Sequence, residues 1–160
     1  MSSLDVILHP TDFSEDSDQA FQLACNMARD QYLSLVVVHV LPPDSSYQTN
    51  LDLELCKDPS PLVENCRQNF CRMRAMASDI PISFRIVRGN AVNAILNVAL
   101  EENAGMIVIA SHRHSQFHLQ LHGSVAEGIL RQTHCPVVVL RQPTGSMLRR
   151  PIPSATAQKA

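Results

Sequence analysis

Four of the chain's seven histidines, His112, His114, His118 and His122, fall in one short segment. The last three are spaced i, i+4 and i+8, which aligns them on one face if the segment is helical, a pattern able to hold zinc or nickel. No carboxylate or cysteine stands nearby to complete a ligand set, so a solvated surface loop is the simpler reading and no metal is expected. His39, at the end of an apolar run, reads as a satisfied core residue. Asp12 lies between an apolar run and Ser14-Glu15-Asp16, where a carboxylate can orient a ligand or cap a helix; these roles are compatible. Gly123, Ser124 and Val125 present backbone N–H groups and a hydroxyl at a helix start, where the dipole favours an anion. For catalysis the chain offers no Ser-His-Asp order, no HxGH or SGGxDS phosphate motif, and no paired carboxylates that the fold would bring together. These residues therefore point to binding or regulation and away from an enzyme.

The elements that position these residues must fit in 160 residues, one ordinary domain with 45% apolar content to bury. Asp5, Asp12, Glu15, Asp16 and Asp18 interrupt every early apolar stretch, so neither a signal peptide nor a membrane span is expected, and the cytoplasm is the expected location. Cys25, Cys56, Cys66, Cys71 and Cys135 form no CxxC pair and are expected to be reduced and mostly buried. A net charge of −2, with the one basic cluster at Arg141, Arg149 and Arg150, argues against nucleic acid as a partner.

Five apolar runs read as strands: Asp5 to His9, Leu33 to Val40, Ile82 to Val87, Met106 to Ala110 and Cys135 to Leu140. The second and fourth lack alternation, as expected of parallel strands covered on both faces, whereas Ile82 to Val87 alternates like an edge strand. Between them lie helical stripes. The first is Ala20, Phe21, Ala24, Cys25 and Ala28; the second is Leu62, Cys66, Phe70, Met73 and Ala77; the third is Ala91, Ala94, Ile95, Val98 and Ala99. A last helix opens on a capping box of Ser124 and Glu127 and is expected to turn Val125, Ile129 and Leu130 toward the sheet. Leu41 to Pro61 is proline- and serine-rich and reads as a loop; Gly89 is the turn after the third strand. Residues 142–160, with Pro143, Gly145, Pro151 and Pro153, read as a disordered, dispensable tail behind a domain of residues 1–141. The alternation gives an α/β fold, an open parallel doubly wound sheet with helices on both faces.

Three segments carry a family resemblance: VILHPTDFSEDSDQAFQLA, VVVHVLPP and IVIASHRHSQFHLQLHGSVAEGILRQTHCPVVVL. Together with the order of elements they resemble the universal stress protein family over roughly residues 4 to 141. The resemblance implies a Rossmann-like five-stranded sheet of order 3-2-1-4-5 with a crevice between strands one and four. It also implies an adenine-nucleotide site, AMP or ATP with magnesium, built from Pro10, Thr11, Asp12, Val40, Ile109, Ala110, Arg113, Gly123, Ser124 and Val125. The aspartate after the first strand would lie near adenine and ribose, and a backbone group of Val40 would meet adenine. Nucleotide-binding members carry Gly, two residues, Gly, nine residues, Gly and then Ser or Thr; here Ala110 and Arg113 replace the first two glycines, while Gly123 and Ser124 keep the rest. An arginine cannot easily supply the close backbone approach that glycine allows at a phosphate.

Two functional readings follow. One is a cytoplasmic stress-response regulator or protective factor that binds ATP or AMP weakly, with any ATP hydrolysis slow and incidental. The other is a family member that has lost the nucleotide and acts through protein partners. In both, a homodimer through the last strand, Val137 to Leu140, is expected, because an unpaired sheet edge invites pairing that Pro136 alone would hardly block.

Overall fold

A computed structural model of the chain describes residues 5–43, 51–52, 61–111 and 125–141. Its elements run β1 (Val6–Pro10), α1 (Glu15–Gln31), β2 (Ser34–Leu41), β3 (Leu51–Asp52), α2 (Pro61–Met76), β4 (Ile82–Arg88), α3 (Ala91–Glu101), β5 (Met106–Ser111), α4 (Val125–Gln132) and β6 (Val137–Arg141). The sheet order is β3-β4-β2-β1-β5-β6. All the pairings from β4 across to β6 are parallel, so the five long strands follow the expected 3-2-1-4-5 order with strand ends shifted by a residue or two. One expectation about the sheet needs correction. The segment Leu41 to Pro61 is not wholly loop, because Leu51–Asp52 adds an antiparallel pair of residues to the outer edge of β4 and shields part of it.

Successive strand residues feed opposite cores, which explains why these strands read as unbroken apolar runs. Ile7, Leu35, Val37, Phe84 and Val108 pack with α1 and α2, while Leu8, Val36, Val38, Ile107 and Ile109 pack with α3 and α4. The stripe on α1 is buried as expected. On α2 the buried apolar residue of the first turn is Val63, not Leu62, and on α4 Ala126 and Ile129 face the sheet while Val125 and Leu130 are exposed. In both helices neighbouring apolar residues competed for one face. At 100° per residue only one of each pair could take it.

Local signals set the helix ends. Ser14 is the N-cap of α1, accepting from the Ser17 N–H, and Asn90 caps α3 by accepting from the Asn93 N–H. The expected N-cap role of Asp12 therefore belongs to Ser14, two residues later. Gly89 turns from β4 into α3 at φ 133°, a conformation L side chains rarely adopt. Helices α3 and α4 approach so closely at Gly128 that an added Cβ would sit 2.7 Å from Val92 Cγ2. Cys25 and Cys66 are buried, Cys71 is exposed and Cys135 is partly covered; all are free thiols.

Candidate functional site

At the carboxyl ends of β1, β2 and β5 the sheet opens into a cleft of about 250 Å³. It lies over the point where strand order reverses between β1 and β5, the place where open α/β sheets receive ligands. β1 runs into Pro10, Thr11 and Asp12; β2 contributes Val38, His39 and Val40; β5 contributes Ile109 and Ala110. α3 supplies Ala91 and Ile95, α4 supplies Val125 and Ala126, and α1 supplies Ser17. The walls are thus mostly small and aliphatic, with four polar side chains, Thr11, Asp12, Ser17 and His39, on the β1–α1 and β2 sides. An apolar cleft with a few placed polar groups is the usual form of a small-molecule site.

The turn from β1 to α1 is tightly wired. Thr11 N–H donates to Val38 O (2.8 Å), and Phe13 N–H donates to Thr11 Oγ1 (3.1 Å). Phe13 takes φ 64°, a left-handed backbone that is costly for an aromatic residue. Asp12 is exposed, and its Oδ1 accepts from both the N–H (3.0 Å) and the Oγ–H (2.5 Å) of Ser14, which orients the carboxylate at the mouth of the cleft. His39 donates from Nδ1 to Thr11 O (2.8 Å), and its ring stacks on Phe13 at 4.4 Å and 27°. Burial pushes the His39 pKa below its ordinary value, which favours the neutral ring. His39 is hydrogen-bonded, as expected, but it forms part of the cleft and is only half-buried.

Deeper in β1, His9 is fully buried, donating from Nδ1 to Val108 O (2.8 Å) beside the Phe21 ring. Its Nε2 has no hydrogen-bond partner among the described residues. Desolvation holds its pKa down at about 4 against an ordinary 6.5.

Every predicted site residue that the structure describes lines this one cleft: Pro10, Thr11, Asp12, Val40, Ile109, Ala110 and Val125. Arg113, Gly123, Ser124 and the histidines His112, His114, His118 and His122 lie outside the described residues. Ala110 pairs with Leu140 in ordinary strand, and the positive-φ non-glycine residues among those described are Phe13, Tyr32 and Asn103, so the backbone at 110 does not call for glycine. Sequence reasoning missed Ser17, Val38, Ala91, Ile95 and Ala126 as cleft residues, and placed His39 only in the core. Ser17 had a readable signal: it continues the stripe of Ala20, Phe21 and Ala24 by one turn, a hydroxyl on an apolar face. Among the described residues no helix is long and apolar enough to cross a membrane, and no group of three His, Cys, Asp or Glu side chains could hold a metal.

The model of the universal stress protein family matches residues 4–141. A universal stress protein of Methanocaldococcus jannaschii is 28% identical over 147 residues, covering 86% of this chain and 82% of the relative. A universal stress protein solved in complex with cAMP superposes with a TM-score of 0.65 at 23% identity, covering 86% of this chain and 98% of its own. The universal stress protein of Archaeoglobus fulgidus solved in complex with dAMP gives a TM-score of 0.61 at 16% identity, over 87% of this chain and 98% of its own.

Proposed function

The chain belongs to the universal stress protein family, and from that premise we propose that its cleft binds an adenine nucleotide, AMP or ATP, in a cytoplasmic stress-response role exerted by binding and not by turnover. One observation carries the reading: the described residues of the predicted site, drawn from four separate elements, converge on a single cleft at the strand-order reversal. The cAMP and dAMP complexes of structurally similar proteins support the same ligand class. Asp12, held by Ser14, is placed to accept from a ribose hydroxyl at the mouth. The apolar wall of Val38, Val40 and Ile95 suits a base, with the Val40 backbone beside it. The phosphates belong at the start of α4, where the helix dipole favours anions. Magnesium would accompany ATP on the phosphates, as that ion commonly does.

Calorimetry with AMP and with ATP plus magnesium tests this. Weak binding is expected in the native chain, falling about tenfold in Asp12→Ala and Ser124→Ala, as suits loss of a charged or phosphate-directed hydrogen bond. Substituting His114 or His118 should leave it unchanged. Arg113→Gly separates attraction from obstruction, since tighter binding after the change means that the side chain blocks the phosphates. No binding by the native chain would leave the second reading, a member acting only through protein partners; Arg113 in place of a loop glycine is the observation in its favour.

The same premise supports a homodimer. β6 ends the sheet beyond β5, and Val137 to Leu140 are all only half-buried within one chain, while Val125 and Leu130 lie exposed on the adjacent helix. Light scattering at high micromolar concentration should give twice the chain mass. A monomer there would remove the proposal.

A further inference from the structure

Thr11 and Ser17 are both buried, 6% and 2% exposed, and both line the cleft. Their hydrogen bonds can be counted. The Thr11 backbone is fully used, its N–H on Val38 O and its carbonyl on His39 Nδ1. Thr11 Oγ1 accepts from Phe13 N–H at 3.1 Å and lies 2.9 Å from Ser17 Oγ. Each hydroxyl carries one proton, and one of the two protons occupies the bond between them, whichever way it points. The other has no acceptor among the described residues. In the wall of the cleft that proton has no protein acceptor among those residues, and a ligand that brings an acceptor can take it up.

We propose that the Thr11–Ser17 hydroxyl pair donates its uncommitted proton to a ring nitrogen of the bound base, making the pair a specificity determinant of the cleft. The inference rests on the adenine-nucleotide reading above. A phosphate is the wrong partner here, because a dianion would be stripped of water among Val38, Ile95 and Ile109 without a countercharge. An aromatic nitrogen is an uncharged acceptor of the right kind. The pair also carries a redundancy. Removing the Ser17 hydroxyl frees the Thr11 proton, so donation survives the single change and is lost only when both hydroxyls go.

The test uses the full chain, AMP, and the three monodeaza analogues of AMP in which one ring nitrogen becomes C–H. The native chain should lose about three- to tenfold in affinity for one of the three, the range of a neutral hydrogen bond. Ser17→Ala should keep that discrimination. In the double variant T11V/S17A, AMP should bind no better than the disfavoured analogue. A native chain that binds AMP but treats all three analogues alike overturns the inference and leaves the nucleotide reading standing. A native chain that binds no AMP overturns both. If T11V/S17A fails to fold, isotope-labelled AMP decides by NMR: a purine nitrogen shifted upfield in the native complex supports the bond, and unshifted nitrogens overturn it.

Discussion

Helix α1 is preceded by one aromatic residue in the left-handed conformation, Phe13 at φ 64°, and followed by another, Tyr32 at φ 57°. The two ends treat the same backbone very differently. Phe13 stacks on His39 at 4.4 Å, meets Phe70 edge-on at 5.4 Å and donates its N–H to Thr11. Tyr32 is 97% exposed and uses only its N–H, on the carbonyls of Ala28 and Arg29, to stop the helix. A left-handed aromatic costs on the order of 1–2 kcal/mol wherever it occurs. At the cleft end that cost is offset by ring contacts, and the result is a fixed turn that presents Thr11 and Asp12. At the far end only the cap bonds offset it, with no ring contact among the described residues, and the residue terminates a helix. Strain held by packing marks the cleft end of α1.

The strongest way to break this contrast is to remove the packing behind Phe13. Phe70 is buried between Phe13 and Phe84, and Phe70→Ala is expected to cost about 3–5 kcal/mol in urea unfolding. It should also weaken AMP binding, because Phe13 loses its edge contact. Phe84→Ala should cost a similar amount while leaving binding near native, since Phe84 touches Phe70 and not Phe13 among the ring contacts. Equal binding losses in the two variants would mean that AMP affinity follows global stability and not the turn.

Acid probes the same end of the helix. The His9 pKa is depressed in the fold, at about 4 against 6.5, so below pH 6.5 the unfolded chain takes up a proton that the folded chain refuses. This contribution to stability is fully present above pH 6.5, declines as pH falls, and is lost by pH 4. The loss amounts to about 3 kcal/mol. Denaturation curves across that window should show it, and His9→Asn should flatten the dependence. Hydrogen exchange should quicken at Phe13 and Ser14 before it quickens at Tyr32 and Leu33, because His9 lies under the β1 end and packs on Phe21.

A smaller effect is expected from Phe13→Gly. Glycine removes the left-handed cost but also both ring contacts, each worth about 0.5–1.5 kcal/mol, and it adds freedom to the unfolded chain. The net loss should be about 1 kcal/mol by thermal unfolding, with AMP binding weakened further as the turn loosens. An unchanged affinity would show that Asp12 is held independently of the Phe13 ring.

The contrast between the two ends also shows what could be read from the sequence. The five long strands were legible because residues such as Val36 and Val37 are apolar for opposite faces, which leaves an unbroken run. The cleft's strand-end residues, Pro10, Thr11, Asp12, Val40, Ile109 and Ala110, were legible through segments resembling a known family. What was not legible depended on neighbours distant in the chain. Ala91 and Ile95 become cleft walls only because the crossover lays α3 beside β2, and β3 is two residues long with no period to detect. The strained turn was invisible as well: nothing in Asp12-Phe13-Ser14 announces a positive φ at a phenylalanine, and the ring contacts around it come from His39 and Phe70, distant in the chain.

Tyr32→Gly sharpens the comparison with the smallest change, and with the opposite sign. At φ 57° and ψ 44° glycine adopts the helix-ending conformation without the Cβ clash that tyrosine bears. The cap bonds survive, because they come from the backbone N–H. With the side chain 97% exposed, little packing is lost. Against the relief of roughly 1 kcal/mol stands the greater freedom of glycine in the unfolded chain, which offsets part of it. The expected outcome is a gain of about 0.5 kcal/mol, read as a rise of a few degrees in melting temperature with AMP affinity unchanged. A loss of stability at Tyr32 matching that at Phe13 would mean that both rings are held by contacts and that the two ends of α1 do not differ in kind.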